Sequence, residues 1–218
     1  MGPARGAYHQ NRLGLVKKAL EANRFEATVH ETLEGAAEYL IGTILPSGPY
    51  ATVAFGGSDT VIASGIVATL RALPGVSVTF DRNDRGLSPG EWHALTRDSI
   101  LVDLFVASSN AVTQDGRLVN VDRYGNRVAA IAYGPRKVAL LVGRNKIVPD
   151  LQGAMERARS TAAAMNAIRI GETTPCAKTA RCHDCHGKGR LCGVTSITER
   201  SFPPGRVHVL LIDQDLGF

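Results

Sequence analysis

The chain has 218 residues, of which 44% are hydrophobic, 21% charged and 6% aromatic, with a formal net charge of +5. This length supports one substantial core, and no apolar run approaches the ~20 residues that a membrane helix requires. The basic side chains are scattered and aromatic residues are few, so the composition does not favour nucleic acid as a partner. The N-terminus lacks the apolar segment of a signal peptide, and this predicts a cytoplasmic protein.

Helices and strands alternate through the first half of the chain. Apolar residues recur at helical spacing in residues 11–25 and 32–45, and Thr32 is the predicted N-cap of the second helix. The string YATVAFGG predicts a strand that leads through glycines into a further helix. VSVTFDR then predicts a strand and SPGEWHALTRDSILV a helix. This alternation is typical of an α/β domain with parallel strands.

The second half adds strands and one long helix. DLFVASSNAVTQ and RLVNVD predict two strands joined by an Asp115-Gly116 turn, so the sheet should be mixed. KVALLVG and GRVHVLLID predict two more strands, and residues 150–169 an alanine-rich helix. We therefore predict an α/β fold with a mixed, mostly parallel sheet flanked by helices. A helical N-terminal lead-in should cover residues 1–30 and the α/β domain residues 31–218.

All four cysteines of the chain lie in one loop, residues 174–194. They are Cys176, Cys182, Cys185 and Cys192, with the spacing C-x5-C-x2-C-x6-C. A C-x2-C pair places two sulfurs in one turn, and the flanking cysteines can close a tetrahedron, so we predict a site for zinc or an iron–sulfur cluster. The spacing does not separate these two. Two disulfides, a haem c attachment at C-x-x-C-H and free loop thiols are the alternatives.

The loop after the first predicted strand of the domain is one half of a candidate ligand site. Gly56, Gly57 and Ser58 join that strand to a helix, where glycines let the backbone approach a ligand and free N–H groups favour an anion. The alternative is that Ser58 is an ordinary N-cap without a ligand.

The string LVNVDRYGNR is the other half of the candidate site. It crowds polar side chains at a strand end, namely Asn120, Asp122, Asn126 and Arg127. We expect Arg127 to clamp a small anionic metabolite, Asp122 to be the candidate acid or base, and Gly143–Lys146 to add a cation. The alternative is that Asp122 only caps a turn.

A family resemblance rests on four strings of the sequence: GGSDT, VDLFVASSNAVTQDGRLVNVDRYGNRVAAIAYGPRKVALLVGRNKIV, TPCAKTARCHDCHGKGRLC and PPGRVHVLLIDQDLG. Through them the chain resembles the short members of the LUD-domain family, the LutC-like lactate-utilization proteins, from the GGSDT loop to the last residue. One departure is His186-Gly187-Lys188-Gly189, where family members often carry Ser-Pro.

The resemblance implies a fold similar to that of CoA transferases and sugar-phosphate isomerases, with the glycine loop facing the ligand. It also implies a role in lactate or organic-acid utilization beside iron–sulfur protein partners. Whether the chain is an enzyme stays open, and the alternative is a non-catalytic redox or assembly partner of an iron–sulfur lactate oxidation complex. An organised pocket around Gly57, Asn120 and Arg127 would favour the first function, and a flat apolar patch near the cysteines the second.

Overall fold

The computed structural model describes residues 2–80 and 86–218. Its strands are β1 (Glu26–His30), β2 (Thr52–Phe55), β3 (Ser77–Phe80), β4 (Leu104–Ala107), β5 (Ala111–Thr113), β6 (Leu118–Asp122), β7 (Lys137–Gly143), β8 (Ile147–Val148), β9 (Val194–Thr198) and β10 (Val207–Ile212). The last two residues of the predicted strand VSVTFDR, 81 and 82, lie outside the described residues.

The α-helices of the described residues are α1 (Pro3–Ala22), α2 (Leu33–Tyr39), α3 (Asp59–Ala63), α4 (Ile66–Ala72), α5 (Pro89–Asp98), α6 (Asn126–Ala132), α7 (Leu151–Glu156), α8 (Ala163–Arg169) and α9 (Pro175–Thr179). Two of them continue in wider, π-type turns: α2 through Leu40–Ile44, and α7 through Arg157–Ala162 into α8. None of the helices in these two stretches of chain has the length and apolar character of a membrane span.

Six strands form a parallel main sheet in the order β1-β10-β7-β4-β2-β3. Every residue of β4, β7 and β10 is buried. Burial on both faces is what a parallel sheet between two layers of helices requires, and it explains the continuous apolar runs of these strands. The predicted α/β fold with a mostly parallel sheet is confirmed.

Helices cover both faces of the main sheet. On one face α1 buries Leu13, Val16 and Leu20 completely, at the spacing of a single helical stripe. On the other face α2, α3 and α4 pack against the alternate residues of the strands. Helix α1 is therefore part of the hydrophobic core rather than an appendage to it.

The predicted lead-in over residues 1–30 contains a strand that was not predicted. Strand β1 pairs in parallel with β10 at the edge of the main sheet, with Glu26 opposite His208. Its string EATVH is short and half polar, so its periodicity gives no clear strand signal. Strands β8 and β9 were missed as well.

A second sheet of four strands, in the order β8-β5-β6-β9, stands at one end of the main sheet. Strands β5 and β6 form the predicted hairpin, and Gly116 adopts φ +82° in its turn. The predicted strand DLFVASSNAVTQ divides into β4 in the main sheet and β5 in the second. The antiparallel pairs thus belong to the second sheet, and the main sheet itself is parallel.

Candidate functional site

The loops after β2, β4 and β7 meet at the carboxyl edge of the main sheet, where open α/β proteins place their ligands. Together with β6, α6 and the π-type turn after α7 they line a cavity of about 300 Å³, which we call the carboxyl-edge cavity. The π-type turn contributes the small side chains of Ala158 and Ala162. The volume suits a small metabolite.

The structure brings the two halves of the predicted ligand site together. The carboxyl-edge cavity is lined by Gly57, Ser58, Asp122, Asn126 and Arg127.

The other two predicted residues stand behind the cavity wall. A Cβ atom at Gly56 would lie 3.1 Å from both Cγ and Cδ of Arg127, so the absence of a side chain there makes room for the arginine stem. Asn120 is fully buried, and its Oδ1 accepts hydrogen bonds from the Asn110 backbone at 3.1 Å and from Arg127 at 2.8 Å. Both residues therefore support the wall rather than the cavity surface.

Ser58 is the N-cap of α3, since its hydroxyl accepts from the backbone N–H of Val61 at 3.4 Å. Helix α3 has only five residues and carries Asp59 in its first turn, so its dipole gives little attraction for an anion. The glycine loop still offers a donor, because the backbone N–H of Gly57 has no acceptor among the described residues.

The guanidinium of Arg127 is held by the protein itself. It donates to the carbonyl of Ser108 at 3.1 Å, to Asn120 at 2.8 Å, to Asn110 Oδ1 at 2.9 Å and to the carbonyl of Val121 at 2.7 Å. These acceptors belong to the loop after β4 and to strand β6. Arg127 thus ties two elements of the cavity wall together, whereas the sequence predicted a clamp for the ligand.

The carboxylate of Asp122 anchors the turn that leads from β6 into α6. It accepts from the backbone N–H groups of Tyr124 at 3.3 Å, Arg127 at 3.1 Å and Val128 at 3.3 Å. The side chain is 10% exposed and lies 3.8 Å from Arg127 Nε. This arrangement is the turn-capping one, although Asp122 also reaches the cavity surface.

Lys146 is the charged group that the cavity buries most deeply. It is 1% exposed, and its Nζ lies 2.9 Å from Ser108 Oγ and 3.1 Å from Thr60 Oγ1. Burial, together with the nearby Arg157 and Arg127, lowers the pKa of its amine to about 7. The sequence indicated only that Gly143–Lys146 could supply a cation, and it carried no signal for this burial.

Ion pairs and aromatic rings also line the cavity. Arg169 pairs with Asp59 at 2.5 Å, and Arg123 pairs with Glu172 at 2.6 Å. Trp92 and Tyr124 also line the cavity, with their ring centroids 5.1 Å apart. Since Arg169 and Arg123 already have acidic partners, the positive field inside the cavity comes mainly from Lys146 and the nearby Arg157.

The four cysteines surround one small, mostly apolar cavity of about 20 Å³. Cys176 lies on α9, Cys192 precedes β9, and none of the four forms a disulfide. Burial and the neighbouring Cys182 and Cys176 raise the pKa of Cys192 to about 11.

Arg190 fastens this cysteine loop. Its guanidinium donates to the carbonyls of Cys192 at 2.9 Å and Cys185 at 2.5 Å, and to Asp184 at 2.9 Å. The positive charge therefore stands beside the thiols, where it would offset the charge of thiolates.

The cysteine side chains suit a metal in ligand type and in location, because four thiols surround one cavity. Their geometry is not that of a closed site: within residues 2–80 and 86–218, no three His, Cys, Asp or Glu side chains are arranged to hold a metal ion. The sulfurs would have to move together to complete a tetrahedron. His183 also lines this cavity, and its Nε2 lies 2.8 Å from Thr179 Oγ1.

Comparison with known proteins gives a family and a fold. Residues 13–212 match the family model described as LUD domain. The crystal structure of a DUF162 family protein from Deinococcus radiodurans is similar, with a TM-score of 0.50 and 14% identity, over 94% of this chain and 98% of that chain. At this identity the similarity shows the fold alone. No curated protein matches the chain.

Proposed function

Because the chain belongs to the LUD-domain family, we propose that it serves the utilization of lactate or a related organic acid by binding a small anionic metabolite in the carboxyl-edge cavity. One observation carries this proposal: the amine of Lys146 is buried at the carboxyl edge of the main sheet, and no carboxylate oxygen of the described residues lies within 4.0 Å of it. Burial without a counter-ion disfavours the protonated form of this amine, and an anionic ligand beside it would stabilise that form.

The charges around Lys146 favour an anion as well. Four basic side chains line the cavity, namely Arg123, Arg127, Lys146 and Arg169. Three carboxylates stand against them, because Asp59 and Asp122 also line the cavity and Glu172 pairs with Arg123. Arg157 adds a further positive charge close to Lys146. A carboxylate that enters the cavity therefore meets a positive field in a site of low dielectric.

The cavity residues divide into ligand-facing groups and wall-forming groups. Lys146, Asn126 and Gly57 line the cavity, and we expect the amine, the side-chain amide and the backbone N–H of these residues to face a ligand. Arg127 and Asp122 make their hydrogen bonds to groups of the cavity wall. A catalytic part for Asp122 stays a prediction.

We also propose that Cys176, Cys182, Cys185 and Cys192 hold a metal, either zinc or an iron–sulfur cluster. Support comes from their convergence on one cavity and from the adjacent charge of Arg190. Bound there, zinc would supply a structural crosslink and a cluster would supply an electron-transfer centre. The thiols must stay reduced for either, which agrees with the proposed cytoplasmic location.

A second candidate function is a non-catalytic redox or assembly partner of an iron–sulfur lactate oxidation complex. Met165 and Ile168 stand 45% and 62% exposed on α8, about one turn apart. Helix α8 packs against α9, which carries Cys176. This apolar face beside the cysteine loop is the kind of surface on which a partner protein would dock.

Calorimetric titration tests the ligand proposal. L-lactate and pyruvate should bind the native protein, and lactamide, which has the same shape without the charge, should not. Lys146→Met should weaken binding of the acids at least tenfold, and the matched surface variant Lys17→Met should not change it. Binding of lactamide as tight as that of lactate, or no binding of either acid, would refute the proposal.

Metal analysis and a visible spectrum of anaerobically purified protein test the cysteine proposal. One equivalent of zinc with no visible absorption indicates zinc, and iron with sulfide and a visible charge-transfer band indicates a cluster. Protein that carries neither metal, and takes up neither when its thiols are reduced, would contradict the assignment.

A further inference from the structure

The amine of Lys146 lines the carboxyl-edge cavity and is held there by two hydroxyl groups. We propose that Lys146 forms a covalent imine with a 2-oxo acid, so that the carboxyl-edge cavity takes a carboxylate that also bears a carbonyl. The inference deepens the proposed function and rests on it, because it requires that the cavity admit a small organic anion.

Hydrogen bonds orient the amine. Ser108 Oγ donates its own proton to the Leu141 carbonyl at 2.6 Å, so towards Lys146, at 2.9 Å, it can only accept. Thr60 Oγ1, at 3.1 Å from Nζ, makes no other side-chain hydrogen bond among the described residues. Nζ donates to both hydroxyl oxygens, so the two N–H groups of the neutral amine are held by Ser108 and Thr60 and its lone pair is left for a ligand.

The surroundings favour the neutral amine, which is the nucleophilic form. The charged groups that act on Lys146 are Arg157, Arg127 and Asp59. The two arginines repel a protonated amine, and the Asp59 carboxylate is taken by Arg169 at 2.5 Å. With a pKa of about 7, a large fraction of Lys146 is unprotonated at neutral pH, whereas an exposed lysine is almost wholly protonated.

The chemistry needs no oxidant or reductant. The Nζ lone pair adds to the carbonyl carbon, the C=O π bond breaks, and the oxygen takes one of the two Nζ protons, relayed by the Thr60 hydroxyl, to give a carbinolamine. Loss of the hydroxyl with the remaining N–H proton, as water, leaves a C=N bond. One amine and one carbonyl thus give one imine and one water.

The carboxylate of the same ligand gives the cavity its selectivity. Its charge suits the positive field, and Asn126 and the Gly57 N–H are the donors of the cavity that can hold it. A simple aldehyde would lack this contact, and a 2-hydroxy acid would lack the electrophilic carbon. Among small acids, the 2-oxo acids combine both features.

Borohydride trapping tests the inference on the full-length protein. Pyruvate with sodium cyanoborohydride should convert the imine to a stable secondary amine, which adds roughly 72 Da to the chain. Peptide mapping should place the adduct on Lys146 ahead of the exposed lysines, which serve as internal controls in the wild-type protein. L-lactate should give no adduct. Lys146→Arg, which keeps the charge, should lose it, and Lys17→Arg should keep it.

The outcomes separate the inference from the proposed function. Reversible binding of pyruvate without any adduct at Lys146 would overturn the imine and leave metabolite binding intact. No binding and no adduct would refute both. An adduct spread evenly over the surface lysines, or one that persists in Lys146→Arg, would overturn the assignment to Lys146. Should Lys146→Arg fail to fold, the wild-type peptide map still decides.

Discussion

Removal of the Arg127 side chain should destabilise the fold, not only weaken ligand binding. The guanidinium donates four hydrogen bonds to protein acceptors. Two of the four acceptors are on Ser108 and Asn120, residues that are at most 4% exposed. Each such bond contributes about 0.5–1.5 kcal/mol net, so Arg127→Ala should cost about 2–6 kcal/mol.

Two variants give this prediction its controls. Arg123 also lines the cavity, but its side chain is 31% exposed and pairs with Glu172, so Arg123→Ala should cost under about 1 kcal/mol. Arg127→Lys keeps the charge without the planar guanidinium, which makes the four hydrogen bonds. Its loss of unfolding free energy should therefore be nearly as large as that of Arg127→Ala.

Urea unfolding measures these differences. Circular dichroism reports the helices, and fluorescence reports Trp92, the chain's single tryptophan, which lines the same cavity. The reasoning would be refuted by an Arg127→Ala protein that is as stable as Arg123→Ala and has lost only its affinity for the metabolite. That result would mean that the guanidinium turns towards the ligand.

Acid should destabilise the fold through His208: burial and Lys137 lower its pKa from 6.5 to about 4, so the unfolded chain takes up the proton first. The contribution of neutral His208 to the free energy of unfolding is complete above pH 6.5 and is lost as the pH falls towards 4, by at most roughly 3 kcal/mol. A urea midpoint that stays constant over this range would contradict the prediction. Gly56→Ala should cost about 1–3 kcal/mol, because its Cβ would meet Ala107 Cβ at 3.0 Å. Gly14→Ala, where a Cβ on α1 meets open space, should raise the free energy of unfolding by about 0.5–1 kcal/mol. Equal shifts in melting temperature for Gly56→Ala and Gly14→Ala would contradict this contrast. Cys185→Ser should release the proposed metal and leave the far-ultraviolet dichroism of the main sheet and its helices nearly unchanged, and global unfolding would show that the cysteine loop belongs to the core.

Local patterns were enough to find most elements of the fold. The capping box of Ser88 and Glu91 opens α5, and Thr32 caps α2 through the N–H of Gly35, as short-range spacing indicates. The further helix predicted after YATVAFGG, in the string SDTVIASGIVATLRALPG, breaks into α3 and α4 at Gly65, which adopts φ +67°. These features depend on neighbours within four residues, which a sequence displays directly.

The site was predicted in part for the same reason. Polar residues after strand ends suggested that the glycine loop and the LVNVDRYGNR string meet, since the carboxyl ends of parallel strands share one edge. The part played by each residue could not be read in this way. Arg127 finds its acceptors 6 to 19 positions away, in elements that only the fold brings together.

The sequence by itself determined the α/β alternation, the helix caps, the apolar central strands and the clustering of the cysteines, because each is written in contiguous residues. Only the tertiary structure decided that β4 and β5 enter different sheets, that Arg127 builds the wall, and that Lys146 is buried beside Thr60 and Ser108. The separations between Lys146 and these two partners are 86 and 38 residues. Desolvation and hydrogen-bond saturation depend on what packs around a group from every side, and no local pattern encodes that.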